Sequence, residues 1–455
     1  MKNDFSDGRV KRNIIIQAVP LFAAQLVHLL YNIVDRIYIG HMEGTGTLAL
    51  TGIGIVFPLT TLISAVTLLF GSGGTPIFSI ARGARDESKA EKVLGHCFML
   101  ITASSVILFI VCYLFRRPIL FLFGAEELSY QYADEYLRFY LLGTFFAMFT
   151  TGMNGFINAQ GYPQIGMGTT LLGAGINLVL DPLFIFGLNM GVAGAAIATV
   201  ISQGISALWV LLFFIGKKNM YRIRKRNMRL QPRLVGEIVS LGLTGFIMNG
   251  TNCLVQIVCN KCLLFYGSEL YVGAMTIVNS VREILSLPVN SLTVGASPVL
   301  SYNFGARKYS LVKKGIRFTV LIGLIYTVAA WAAVIAVPEF LVSIFTPDPE
   351  MVRIGANALR IYFFGFCFMA FQFGGQTCFT ALRCPRRAIF FSLLRKAFIV
   401  VPLTIFLPMM GYGTDGVFMA EPISNLIGGL ACFTTMYFTL YRRLPNEDMP
   451  LETKT

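Results

Sequence analysis

Twelve long apolar runs constrain this chain more than any other feature of its sequence. They cover residues 14–40, 47–72, 93–115, 133–160, 162–188, 191–216, 234–266, 268–290, 311–337, 352–382, 385–410 and 413–441. A helix needs about 20 apolar residues to cross a bilayer, so each run predicts one transmembrane helix. Charged residues make up only 13% of the chain, whereas soluble domains are about one quarter charged. We therefore expect an all-α integral membrane protein with twelve spans, numbered here in chain order.

The basic residues lie in alternate loops. The net charge is +14, and most of it falls in residues 82–92, 217–229, 307–317, 383–387 and 442–443. The positive-inside rule places these loops and both termini in the cytoplasm, where they contact anionic lipids. This arrangement argues against a nucleic-acid partner. The first apolar run follows directly on a short polar N-terminus, so we expect no cleavable signal peptide.

The second half of the sequence repeats the first at an offset of 222 residues. The stretch RGAR at 82–85 aligns with FGAR at 304–307, and LRFYLLG at 137–143 aligns with LRIYFFG at 359–365. An offset of six spans predicts two parallel repeats related by an axis along the membrane normal. In transporters built this way the substrate site lies between the halves, and access alternates as the halves rock. The repeat therefore favours transport over other membrane functions.

The repeat also predicts a domain organisation. We expect an N-lobe at 1–216 with spans one to six and a C-lobe at 233–455 with spans seven to twelve and the C-terminal tail. The basic segment 217–232 is expected to be a cytoplasmic linker between them.

Two carboxylates of the N-lobe have no counterpart in the C-lobe. Asp35 aligns with Ile257, and Asp181 aligns with Leu403. Each lies five or six residues from the outer end of its span, about 8–9 Å deep at 1.5 Å per residue, so the two could face each other. A charge at that depth is costly and usually functional. The alternative for Asp35 is a simple pair with the adjacent Arg36.

Three further polar residues could complete a site around these carboxylates. Asn177 lies one helical turn before Asp181 on the same face, Thr199 lies in span six, and Asn154 lies deeper in span four. Two close, buried carboxylates could hold a proton near neutral pH, or the oxygen atoms could bind Na⁺. The sequence leaves both chemistries open. Asn177 and Thr199 could also be hydrogen-bonding contacts between helices.

The C-lobe has a different set of charges in or near its apolar runs, namely Lys261, Glu283, Arg395, Lys396 and Glu421. We expect Arg395 and Lys396 to pair with Glu421 or Glu283 in a structural network. If these cations instead line a central cleft, they would suit the pyrophosphate of a lipid-linked precursor. A lipid flippase is therefore the alternative function. The sequence has no HExxH motif, no serine–histidine arrangement and no nucleotide-binding loop, so we expect neither an enzyme nor a cofactor.

Four groups of residues resemble a known family over essentially the whole chain. They are YNIVDRIYIGH in span one, NLVLDPLFIFG in span five, MGVAGAAIATVISQ in span six, and the paired RGAR and FGAR loops. Together they resemble the multidrug and toxic compound extrusion (MATE) transporters, in the DinF-type branch and near its MepA-like bacterial exporters. The resemblance implies a V-shaped pair of six-helix lobes of the MOP type. It also implies export of lipophilic organic cations across a bacterial cytoplasmic membrane against entry of H⁺ or Na⁺.

The resemblance further implies a coupling-ion site in the N-lobe. The corresponding residues here are Asp35, Asn177, Asp181 and Thr199. Asn154 adds a nearby amide, and Ala195 adds its backbone carbonyl as a further ligand. The vibrio-type branch has acidic residues in spans seven and ten, where this chain has Gln256 and Gln372, so no C-lobe cation site of that type is expected. The implied partners are small lipophilic cations and membrane lipids, and the chain is expected to be a monomer.

Overall fold

The computed structural model describes residues 3–40, 42, 46–125, 127–216 and 219–449. Within these ranges the chain forms helices and no strand, as expected for an all-α protein. The α-helices are α1 (Val10–Gly40), α2 (Gly46–Gly83), α3 (Glu87–Leu114), α4 (Arg116–Leu122), α5 (Glu127–Leu142), α6 (Thr144–Ala159), α7 (Pro163–Pro182), α8 (Gly191–Ile215), α9 (Pro232–Tyr266), α10 (Glu269–Gly305), α11 (Tyr309–Ala336), α12 (Pro338–Ser343), α13 (Pro349–Phe363), α14 (Met369–Ala381), α15 (Pro385–Leu393), α16 (Val401–Leu407) and α17 (Gly413–Met436). Short π-helical turns extend or join them at Leu183–Gly187, Leu394–Val400, Pro408–Tyr412 and Tyr437–Tyr441.

Among the described residues, nine helical segments are long and apolar enough to cross a membrane, or ten if the bent pair of α13 and α14 forms one span. One of the nine runs for 57 residues from Pro385 to Tyr441, far more than the roughly 20 that a bilayer requires. It contains the predicted runs 385–410 and 413–441, and the backbone between them turns through positive φ at Gly411 and Gly413. We therefore count it as two spans.

The predicted run 133–160 has a different structure from the other spans. It corresponds to α5 and α6, which meet at Gly143, and α5 has Asp134 and Arg138 along its length. All twelve predicted runs thus lie on helices. The helices α2 and α10 extend well beyond the predicted apolar runs, to Gly83 and Gly305. The additional residues pack inside the protein.

The chain folds into two compact units. The N-unit comprises Asn3 and Ala23–Gly242, and the C-unit comprises Asp4–Phe22 and the described residues from Leu243 onward. These units divide the chain inside α1 and α9. The lobe boundaries at 216 and 233 stay a prediction. The first part of α1 belongs to the C-unit because it packs closely against α10. A Cβ on Gly295 of α10 would lie 2.8 Å from the backbone nitrogen of Ala18.

The internal repeat extends to the backbone of the turns. Residues with positive φ recur 222 positions apart in four pairs, which are Arg85 with Arg307, Gly161 with Arg383, Asn189 with Gly411, and Gly191 with Gly413. Helix packing recurs as well. In the N-unit α2 packs against α3, α5 and α6, and in the C-unit α10 packs against α11, α13 and α14. The two halves therefore share one fold, in agreement with the repeat seen in the sequence.

Glycines allow α2 to pack closely at the centre of the N-unit. A Cβ on Gly71 would lie 2.8 Å from the carbonyl oxygen of Gly152 on α6, and a Cβ on Gly73 would meet the backbone of Ile238 and Gly242 on α9. Small residues let helix backbones approach to this degree in membrane proteins. The stretch GSGG at 71–74 is thus a packing surface.

We expect Gly71→Ala to destabilise the protein, because the added methyl group collides with the Gly152 backbone. The thermal midpoint of the detergent-purified protein should fall by several degrees. Gly54→Ala on the same helix is the matched control, since a Cβ there meets nothing within 4 Å, and its midpoint should stay the same or rise slightly. Equal midpoints for the two variants would contradict the packing described here.

Candidate functional site

Four of the predicted site residues form one connected cluster on α7 and α8. Nδ2 of Asn177 donates to Oδ1 of Asp181 at 2.9 Å and lies 3.5 Å from Oγ1 of Thr199. Oγ1 of Thr199 donates to the carbonyl oxygen of Ala195 at 3.0 Å. All four residues are buried, and Asp181 is only 1% exposed. The structure therefore brings carboxyl, amide, hydroxyl and carbonyl groups together inside the N-unit.

A local widening of the helix shapes this cluster. Pro182 ends α7, and the chain continues in the π-helical turn Leu183–Gly187. Turns of this kind are frequent at functional sites. α8 packs directly on the turn, because a Cβ on Gly194 would lie 2.8 Å from the carbonyl oxygen of Phe184. This close approach places Thr199, little more than one helical turn further along α8, beside the cluster.

Asp35 on α1 joins the cluster through Asp181. The two carboxyl groups lie within hydrogen-bonding range of each other, and Oδ1 of Asp35 is buried. A carboxylate only accepts hydrogen bonds, so a bond between two carboxyl groups requires a proton on one of them. The geometry of the pair therefore allows one proton to be held between the two carboxyl groups. The side chain of Arg36, the alternative partner of Asp35, lies outside the described part of the chain.

Asn154 does not reach the carboxyl groups in this structure. Its Nδ2 donates to the carbonyl oxygen of Gly166 near the start of α7, at 3.1 Å. Gly166 lies eleven residues before Asn177, which is about 16 Å along the helix axis. Here Asn154 holds α6 against α7, and it faces a different level of the N-unit from the cluster.

Two tyrosines that the sequence did not single out lie near the two aspartates, and a third tyrosine packs beside them. Tyr31 on α1 and Tyr136 on α5 are within electrostatic range of both Asp35 and Asp181. Tyr140 stacks on Tyr136 with ring centroids 5.6 Å apart. Helical spacing could have indicated these residues, because residues four positions apart lie on the same face of a helix. Tyr31 precedes Asp35 by four positions, and Tyr136 precedes Tyr140 by four. Aromatic faces of this kind favour organic cations.

The charges predicted in the C-lobe form a separate network inside the C-unit. Nζ of Lys396 lies 2.9 Å from Oε1 and 3.0 Å from Oε2 of Glu421, and Nη1 of Arg395 lies 3.1 Å from Oε1. All three side chains are buried. Glu283 and Lys261 are exposed. Of the two partners expected for Arg395 and Lys396, the structure pairs them with Glu421.

Comparison with known proteins agrees with this architecture. The MatE family model matches residues 20–183 and 242–414, two segments that start 222 residues apart. Multidrug export protein MepA of Staphylococcus aureus (strain MSSA476) is 25% identical over 421 residues, which is 92% of each chain. The MepA protein of Staphylococcus haemolyticus (strain JCSC1435) is 25% identical over 358 residues, which is 78% of each chain. A solved outward-facing multidrug resistance MATE transporter of the MOP superfamily matches with a TM-score of 0.89 and 22% identity, over 95% of this chain and 97% of its own.

The apolar helices and the duplicated six-span fold define a multi-pass membrane protein of the transporter class. The chain belongs to the MatE family, because the family model covers well over half of it. The resemblance that YNIVDRIYIGH and NLVLDPLFIFG indicated is thus confirmed, and so is the MATE-type fold.

We expect Asp181→Leu to leave the thermal midpoint within about 2 °C of wild type. The equivalent position of the second repeat already holds Leu403, and the change removes one of two facing carboxyl groups without leaving a cation unpaired. Asp134→Leu is the comparison, because Asp134 pairs with Arg116 and Arg138 at 2.7 Å each, and its loss should lower the midpoint by several degrees. A larger drop for Asp181→Leu than for Asp134→Leu would make Asp181 a structural residue.

Proposed function

We propose that this transporter exports small lipophilic organic cations from a bacterial cell by antiport, with H⁺ or Na⁺ entering in exchange through alternating access. The observation that carries the proposal is the pairing of Asp35 with the buried Asp181, which accepts from Asn177 beside Thr199. Family membership supports the same function, since the curated relatives are multidrug export proteins.

The carboxyl pair supplies the exchange chemistry. A carboxyl pair that holds one positive charge can take it from a proton, from Na⁺ or from a substrate cation, so that one displaces another. Such competition drives transport if the inward- and outward-open states differ in their affinity for the ion. The nearby Tyr31 and Tyr136 add aromatic surface for an organic cation. No cofactor beyond the coupling ion is required, and we propose that a single chain performs the cycle.

The hydrogen bonds favour H⁺ over Na⁺ as the coupling ion. The amide nitrogen of Asn177 donates to both Asp181 and Thr199, and two carboxyl groups within hydrogen-bonding range of each other are suited to holding a proton. Binding of Na⁺ at Asp35, Asn177, Asp181 and Thr199 would require the amide to turn its oxygen atom toward the ion. Turning the amide would break the hydrogen bonds that its nitrogen donates to Asp181 and Thr199, and we propose that this loss disfavours Na⁺.

The orientation of the protein follows from its basic loops. We propose that it lies in the bacterial cytoplasmic membrane with both termini in the cytoplasm, because the loops rich in Lys and Arg are then all on the cytoplasmic side. These loops contact anionic lipids there.

The buried network of the C-unit argues against a lipid flippase. Recognition of a pyrophosphate group requires several accessible cations. Arg395 is 8% exposed and Lys396 is 3% exposed, and both already pair with Glu421. Lys261 is exposed but is a single charge. These cations therefore do not form the basic floor that a lipid-linked precursor would need.

We expect Asp181→Asn to abolish efflux of a cationic dye from whole cells, because the amide cannot exchange a proton. The variant should still fold and insert into the membrane, as checked by its yield and its gel-filtration profile. Asp348→Asn is the control. Asp348 is exposed and caps α13 through its bond to the backbone of Glu350, and Asn caps helices equally well. Efflux at the wild-type rate from the Asp181→Asn strain would overturn the mechanism.

The coupling ion can be identified in energised inside-out vesicles that have accumulated a dye. We expect the dye to be released when the pH gradient is collapsed at constant Na⁺, and to be retained when the Na⁺ gradient is collapsed at constant pH. The opposite pattern would assign Na⁺ as the coupling ion.

A further inference from the structure

The C-unit has a partly open cavity with charged and polar groups in its lining, which the proposed transport cycle does not use. It has a volume of about 100 Å³, enough for several water molecules or a small ion. It lies between α9, α10, α13, α17 and the π-helical turn Leu394–Val400. Its polar lining includes Gln256, Asn279, Arg282, Tyr362, Lys396 and Glu421.

Positive charge exceeds negative charge around this cavity. Arg282, Lys396 and the neighbouring Arg395 face the single buried carboxylate of Glu421, and both of its oxygen atoms already accept from Lys396. Nε of Arg282 is buried and has no hydrogen-bond partner among the residues that the structure describes. The adjacent Glu283 is exposed and does not line the cavity, and it offsets part of the charge of Arg282. An excess of buried cations inside membrane spans is costly unless an anion compensates for it.

The internal repeat relates this cavity to the carboxyl cluster of the N-unit. At the offset of 222 residues, three residues near the N-unit cluster correspond to three near the C-unit cavity. The pairs are Tyr140 with Tyr362, Thr199 with Glu421, and Gln203 with Asn425. The same region of the fold therefore holds two carboxyl groups in one unit, and in the other three cations with the buried carboxylate of Glu421 and the exposed Glu283. If the first arrangement suits a cation, the second suits an anion.

We propose that the C-unit cavity binds a small monovalent inorganic anion of the chloride class, held by Arg282 and Lys396. The side-chain amides of Asn279 and Gln256 and the hydroxyl group of Tyr362 are further hydrogen-bond donors in the lining. The cavity volume of about 100 Å³ suits a small inorganic anion. Bound anion lowers the excess charge of the C-unit and stabilises its helices, and this role is independent of the proposed export function.

The first test measures the thermal midpoint of the full-length purified protein in sodium chloride and in sodium gluconate at equal ionic strength. We expect chloride to raise the midpoint saturably, by roughly 2–5 °C. Arg282→Gln should lose this response, whereas Arg353→Gln should keep it, because Arg353 is an exposed cation of α13 outside the cavity lining. An equal response to gluconate, or an undiminished response in Arg282→Gln, would overturn the proposal.

A direct binding measurement on the wild-type protein decides the matter if Arg282→Gln does not fold. We expect radioactive chloride to bind at about one ion per chain, to be displaced by bromide and not by gluconate, and to bind also to Arg282→Lys, which keeps the charge. Failure of the wild-type protein to bind chloride would overturn the proposal. Dye efflux through the Asp35–Asp181 site is a separate readout, so the two proposals fail independently.

Discussion

The contact between the carboxyl groups of Asp35 and Asp181 is the constraint on which the proposed transport site of the N-unit depends. Like charges cannot both remain ionised at close range inside a membrane without a compensating cation or proton. The surrounding structure keeps them together through the amide of Asn177, the hydroxyl group of Thr199 and the π-helical turn at Leu183–Gly187. We propose that the pair exchanges cations because it can take one positive charge from either a proton or a substrate.

The duplicated fold shows which features serve folding and which serve function. The two halves share helix packing and the positive-φ turns, including Arg85 with Arg307. They differ in the charges that the scaffold holds, since Leu403 occupies the place of Asp181 and Glu421 the place of Thr199. The second half folds without the carboxyl pair, so the pair is not required by the fold. The C-unit instead buries a cluster of mainly positive charge.

The sequence predicted most of the fold, because apolar runs and a constant offset depend only on composition and spacing. The meeting of Asp35 and Asp181 was also predictable, since depth follows from position along a span. The direction that Asn154 faces was not, because depth alone does not determine which neighbouring helix a side chain meets. The sequence also did not predict that α1 is divided between the two units. A continuous helix shows no change of composition where its packing partners change.

Proton release on substrate binding tests the central claim most directly. The purified protein, in weakly buffered detergent solution near neutral pH, is titrated with tetraphenylphosphonium while the pH is recorded. Our account predicts release of about one proton per bound cation from the wild-type protein, and none from Asp181→Asn. Binding without proton release from the wild-type protein, or equal release from both proteins, would contradict the assignment of the Asp35–Asp181 pair as the exchange site.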